Sequence, residues 1–319
     1  MAHETATTAG EALRGIVSGQ VSDTCNFQDE KRDRLLSQIH ARYGKGLLAV
    51  LIYGSYLRGK RDTLLDFYVF VDGYASMPSW WQGGLARALP PNVYQIHDGS
   101  PPDDIRAKYA LMTLEQFERA VRDDFHSYFW ARFAQPCGIL FCRDDGVKNR
   151  IVSAICQASV TFATRVAPRL PERFNTKQLW ENGLGLTYQC EFRSEPPGHA
   201  GKLFEYWPEY YRSVTSVLAT QGLGFEPDEV TDQFRNSCDE RARRRSGVSW
   251  WLRRAQGKLL STLRILKAAA TFDGALDYLL WKIQRHSGVF IEPSDLQRRY
   301  PVVFAWPLLF RLWRKGAFR

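Results

Sequence analysis

The sequence predicts an α+β protein: a mixed β-sheet with flanking helices, a mostly helical region after it, and an amphipathic segment at the C-terminus. Three observations predict this. Two apolar runs of strand length, 47–53 and 64–71, are separated by Gly54-Ser55 and a polar, basic loop. Helix-period patterns flank them, at 28–43 before and at 147–166 and 248–285 after. The last stretch, 301–319, mixes Trp306, Trp313 and many aliphatic residues with Arg311, Arg314, Lys315 and Arg319.

The central stretch carries the chemistry. Side chains alternate along a strand, so Asp66, Tyr68, Phe70 and Asp72 are expected on one face. A carboxylate within an apolar run is costly to bury unless it is paired or holds a metal. Glycine allows close backbone approach to a phosphate, where exposed N–H groups and the Ser55 hydroxyl can bind oxygens. Strand, Gly-Ser turn, then a strand with an inward Asp resembles the nucleotidyltransferase superfamily, and the spacing Gly54, Ser55, Arg58, Gly59 strengthens the resemblance. In that reading Asp66 holds Mg²⁺. Many members carry Asp-x-Asp; here the second position is Tyr68. The plainer reading is a hairpin-like pair with a tight turn.

At 319 residues the chain can form more than one domain and a substantial core. A hydrophobic fraction of 45% and a charged fraction of 24% suit a soluble globular protein, and no long stretch lacks charges. Residues 1–20 contain Glu4 and Glu11 and no apolar centre, so no signal peptide is expected. Cysteines 25, 137, 142, 156, 190 and 238 form no C-x-x-C pair; reduced thiols and a cytoplasmic setting are expected. A net charge of +9 favours an anionic partner. The densest cluster is Arg241, Arg243, Arg244 and Arg245.

In chain order, 1–27 is an N-terminal segment and 28–43 an amphipathic helix with Leu35, Leu36 and Ile39 inward, ended by Gly44 and Gly46. His40 is expected to be solvated. A short helix is expected at 80–89, where Trp80-Trp81 reads as packing. Thr113 and Gln116 form a capping-box pattern for a helix to about residue 124. An aromatic segment, 127–136, holds Arg132; a strand spans 137–142. Asn175-Thr176 caps the next helix, and 186–195 reads as a surface strand carrying Glu191 and Arg193. Residues 221–247 read as a basic linker. These patterns give domains at 28–145 and 146–220, the linker, C-terminal helices at 248–300 and an interfacial segment at 301–319 that would lie on an anionic membrane.

Taken together, the motifs resemble the mitochondrial-type phosphatidate cytidylyltransferases, the translocator assembly and maintenance family. The matching residues are Tyr53-Gly54-Ser55, Asp66-Phe67, Val71-Asp72, Trp81, Pro90, Tyr94, Lys108-Tyr109, Tyr128 through Arg132 to Pro136, Leu186-Thr187-Tyr188, Glu191, Arg193 and Lys202. Departures are Ala131, Gln135, Cys190 and Glu191, where that family has Gly, Lys, Gly and Asp. The resemblance implies a nucleotidyltransferase-type sheet, a winged-helix-like helical region, and synthesis of CDP-diacylglycerol from CTP and phosphatidate at the inner face of a membrane. It implies Asp66, Lys60, Arg132, Arg193 and Lys202 as catalytic residues. Tyr53, Gly54, Ser55, Arg58 and Tyr188 would bind nucleotide, and Mg²⁺ would sit on Asp66 with Asp72 or Glu191. Two rival readings stand beside it: transfer to a soluble acceptor, and an inactive module binding membrane or nucleic acid.

Overall fold

A computed structural model describes residues 2–23, 29–60, 64–74, 90–98, 105–191, 198–229 and 232–271, with isolated positions at 292–294, 297, 307, 311 and 314. The chain divides into two compact units, residues 1–257 and 258–319. The predicted helix at 80–89 and the segment 301–319, apart from those single positions, lie outside the described residues.

The first unit is built on a mixed sheet. Its strands are β1 (Leu47–Tyr53), β2 (Leu65–Val71), β3 (Asn92–Asp98), β4 (Ile105–Thr113) and β5 (Gly138–Cys142), in the order β3-β4-β2-β1-β5. β2 and β4 run parallel; the other pairs are antiparallel. β1 and β2 are central and covered on both faces, which is why they read as continuous apolar runs. On one face Leu51, Tyr68, Phe70 and Met112 pack with Phe117, Phe129 and Phe133. On the other, Val50, Ile52, Phe67 and Val69 pack with Leu35, Ile39 and Tyr56.

Helix α1 (Ala2–Asp23) buries Leu13, Val17 and Val21 in the first of these cores, so the N-terminal segment is an integral part of the unit. Helix α2 (Glu30–Tyr43) begins on the Asp29 cap, where the Arg32 N–H donates to the carboxylate at 3.1 Å, and stops at Gly44 with φ +50°. His40 is not simply solvated: its ring meets Phe141 edge-on at 4.2 Å. Helix α3 (Leu114–Asp123) starts on the Thr113/Gln116 capping box, with both reciprocal bonds formed. The short helix α4 (Tyr128–Phe133) and the long helix α5 (Asp145–Val166) complete the cover of that face.

Beyond α5, β6 (Arg173–Asn175) leads into α6 (Thr176–Tyr188), α7 (His199–Tyr206) and α8 (Pro208–Ala219). Of the stretch expected as a strand at 186–195, residues 186–191 are instead the end of α6 and a turn, where the Glu191 N–H donates to the Tyr188 carbonyl at 3.0 Å, and 192–195 lie outside the described residues. Residues 221–247 are not a linker. They form β7 (Phe225–Pro227), β8 (Gln233–Asn236) and the start of α9 (Glu240–Thr271). β6, β8 and β7 make a small antiparallel sheet around Phe174, Phe225 and Phe234.

Helix α9 is fastened by a buried face. The Trp250 indole donates to the Arg165 carbonyl at 3.1 Å, and Arg253 Nε donates to the Phe125 carbonyl at 2.6 Å. The Arg253 guanidinium lies over the Phe125 and Trp250 rings, 4.5 Å from each centroid. Burial, and repulsion from Arg165, push its pKa down to about 10. Gly257 rests on the turn after α6: a Cβ there would stand 2.1 Å from the Cys190 carbonyl oxygen.

Candidate functional site

The site forms where β1 ends and β2 begins. Tyr53, last in β1, is paired in register with Asp66, and Asp66 is paired on its other side with Lys108 of β4. Between the two strands the chain turns at Gly54, whose φ of +91° and ψ of −153° are almost exclusive to glycine. A Cβ on Gly54 would lie 3.4 Å from Asp66 Oδ2, so the half-buried carboxylate stands directly over the turn. Ser55–Arg58 form one 3₁₀ turn, closed by Gly59 at φ +80°. The Lys60 N–H reaches back to the Ser55 carbonyl at 3.3 Å, while the Lys60 side chain is exposed.

On the same face stands Arg132, 10% exposed, delivered by α4. Its Nη1 donates to the Tyr68 hydroxyl at 2.7 Å, and its Nη2 lies 3.8 Å from Glu191 Oε2. The guanidinium is 4.1 Å from the centroid of Tyr128 and 5.3 Å from that of Tyr53. Tyr128 and Arg132 are four residues apart on one helix, which places one over the other. That spacing was visible in the sequence, but the role of Tyr128 was missed. Burial alone would depress the Arg132 pKa. The surrounding Tyr128, Tyr68, Tyr53 and Glu191 outweigh it and hold the pKa well above its usual value. Burial likewise raises Tyr68 well above the ordinary phenol range, against the pull of Arg132. At neutral pH the pair is therefore a fixed cation and a neutral hydroxyl. Tyr68, at the second position of Asp-x-Asp, supplies no carboxylate and instead anchors the arginine.

The remaining predicted residues disperse. Arg58 stacks over Tyr206 of α7 at 5.6 Å, toward the helical half of the unit. Tyr188 closes α6 and meets the His199 ring at 5.8 Å. Lys202 is exposed on α7. Arg193 lies outside the described residues. Asp72 corrects the expected metal set. It is exposed at the opposite end of β2, its N–H bonded to the Gly46 carbonyl at 3.1 Å. Six strand residues from Asp66 correspond to roughly 20 Å at ~3.3 Å per residue, too far to share an ion.

Among the described residues, no three His, Cys, Asp or Glu side chains converge as metal ligands. Mg²⁺ is commonly held by one or two carboxylates together with substrate phosphates and water. Asp66, beside the bare backbone of Gly54, fits that use; Glu191 lies 3.8 Å from the Arg132 guanidinium. A separate cavity of about 630 Å³ lies on α1, the 3₁₀ turn and α8, lined by Gly19, Tyr56, Leu57, Trp207 and Tyr210 among others. Gly54 and Asp66 do not line it.

Among the described residues, no helix is long and apolar enough to cross a membrane, and Cys137, Cys142, Cys156, Cys190 and Cys238 are free thiols. No protein-family model matches the chain, and a search of curated proteins finds no significant match.

Proposed function

We propose that the chain is a nucleotidyltransferase of the phosphatidate cytidylyltransferase type, with its sheet in the role of a nucleotidyltransferase core and the helical half in that of a winged-helix-like partner. The observation that carries this reading is the Asp66 carboxylate set over the Gly54 turn, with the buried cation Arg132 on the same sheet face. In this reading the triphosphate of CTP lies along Gly54 and Ser55, where backbone without a side chain permits close approach. Mg²⁺, when bound, neutralises phosphate charge and would be held by Asp66. Arg132 is fixed by Tyr68, Tyr128 and Glu191 before substrate arrives, so it meets phosphoryl charge with little reorganisation. Lys60, exposed just after the turn, is a further candidate hydrogen-bond donor to phosphate.

A phosphatidate oxygen attacks the α-phosphorus, the bond to the pyrophosphate oxygen breaks, and CDP-diacylglycerol forms. A phosphate monoester dianion is already nucleophilic at neutral pH, so the chain need only position and neutralise.

The test is pyrophosphate release with Mg²⁺ and CTP, with and without phosphatidate vesicles, for wild type, Asp66→Asn and Asp72→Asn. Release that needs both substrates, is lost in Asp66→Asn and persists in Asp72→Asn supports the reading. CTP binding with no response to phosphatidate points to a soluble acceptor. No nucleotide binding overturns the assignment in favour of a binding module.

A further inference from the structure

Helix α9 has two faces, and the enzymatic reading uses neither. Its inner face carries Trp250 and Arg253, both almost fully buried. Its outer face leaves Val248, Trp251 and Leu252 exposed at 61%, 64% and 46%. Turning 100° per residue, Arg241, Arg245, Val248 and Leu252 fall along one line of the helix, with Arg244 and Trp251 beside it. After Glu240 the helix contains no acidic residue.

We propose that this face of α9 docks on an anionic lipid surface. Apolar side chains of this size, exposed beside a row of arginines, are what an interfacial helix presents: Trp and Leu enter the headgroup boundary while guanidinium groups meet lipid phosphates. Charge selects this occupant over the others. A second copy packed against this face would offer the arginines no carboxylate, since the helix has none after Glu240. A nucleic acid would satisfy the arginines but leave Val248, Trp251 and Leu252 against phosphates. Because Trp250 and Arg253 lock the opposite face into the core, the exposed face is presented rigidly. The proposal deepens the lipid-substrate reading, for which it supplies the means of reaching a bilayer.

The experiment is co-sedimentation of the full chain, without nucleotide, on vesicles of phosphatidylcholine with phosphatidylglycerol and on vesicles of phosphatidylcholine alone. Phosphatidylglycerol supplies the anionic surface without being the proposed substrate. The expected result is binding to the anionic vesicles only, weakened by salt. Arg241→Gln with Arg245→Gln is expected to reduce partitioning by about thirtyfold, and Trp251→Glu with Leu252→Glu to abolish it. Both variants should keep the wild-type melting temperature and the wild-type pyrophosphate release on a short-chain, water-soluble phosphatidate. Wild-type partitioning in both variants would overturn the proposal, and so would equal binding to neutral vesicles. A wild-type dimer made monomeric by Trp251→Glu with Leu252→Glu would assign the face to a second copy instead. Lack of turnover on the soluble substrate, with vesicle binding as expected, would count against the enzymatic reading and leave the docking face standing.

Discussion

Replacing Gly54 by Ala tests the turn on which the candidate site depends. The backbone there, at φ +91° and ψ −153°, lies where residues with a Cβ are strained by about 1–3 kcal/mol. Space is not the obstacle, since the new methyl would make ordinary contact with Asp66 Oδ2 at 3.4 Å. The stability loss is therefore a backbone loss of about 1–3 kcal/mol, or roughly 2–10 °C in melting temperature for a unit of this size. Gly59→Ala is the internal control. Its φ of +80° and ψ of 4° are left-handed helical, and a Cβ there meets nothing within 4 Å, so about 1 kcal/mol is expected. Denaturant unfolding followed by circular dichroism gives both values. CTP binding in the presence of Mg²⁺, measured by calorimetry, then separates stability from function. Gly54→Ala should weaken binding at least tenfold because its methyl occupies the side facing Asp66, while Gly59→Ala should leave it near wild type. A Gly54→Ala protein as stable as wild type would refute the backbone argument. Unchanged CTP affinity in a folded Gly54→Ala variant would refute the placement of the phosphates.

Three further outcomes are expected. Arg132→Met removes the donor to Tyr68 and the cation 3.8 Å from Glu191, so stability should fall by about 3–5 kcal/mol; Arg132→Met with Glu191→Gln should recover part of that loss, and a double-mutant cycle reads the coupling. Gly257→Ala would gain up to about 1 kcal/mol of helix propensity. It also drives a methyl into the Cys190 carbonyl, so a net loss of about 1–3 kcal/mol is expected in chemical denaturation. Alkaline titration followed at the tyrosinate absorbance should show late, cooperative ionisation. Tyr68, Tyr43, Tyr109, Tyr210 and Tyr211 are all raised above the ordinary 10.0 by burial. The folded state then holds more protons than the unfolded one above that pH. Their contribution to stability is whole below about pH 10 and is lost as pH rises beyond it; smooth, non-cooperative ionisation at the ordinary value would contradict this.

Local chemistry made part of this fold legible. The capping boxes before α3 and α6, the glycine end of α2, and the two apolar runs around Gly54 each follow from a few adjacent residues. Elements made by distant partners were not legible. β8 pairs with β6 across some sixty residues, Phe174 opposite Phe234, and both strands are too short to show a period. The arginine run at 241–245 opposes the usual charge preference at a helix N-terminus, so it reads as solvated loop. Tertiary bonds override that preference: the Arg243 side chain donates to the Leu170 and Cys238 carbonyls, and Asp239 caps the Ala242 N–H. Helix α1 did leave a signal, Leu13, Val17 and Val21 at four-residue spacing, but the small residues around them masked the stripe. At the site, Asp66 and Gly54 were visible because they are close in sequence. The union of Tyr68, Arg132 and Glu191 was not, because three separate elements deliver it.

The anchoring of α9 also bears on how the chain matures on the ribosome. Arg253 completes a contact with Phe125 that spans 128 residues, and Trp250 one with Arg165 that spans 85. At ~5–20 residues per second the first interval lasts roughly 6–26 s. Throughout that time Trp130, fully buried in the finished fold, has emerged while Trp250, which packs on it, has not. The nascent protein therefore exposes an aromatic surface late into translation, and a chain truncated before Trp250 would keep it exposed permanently, as a standing target for chaperones and proteases.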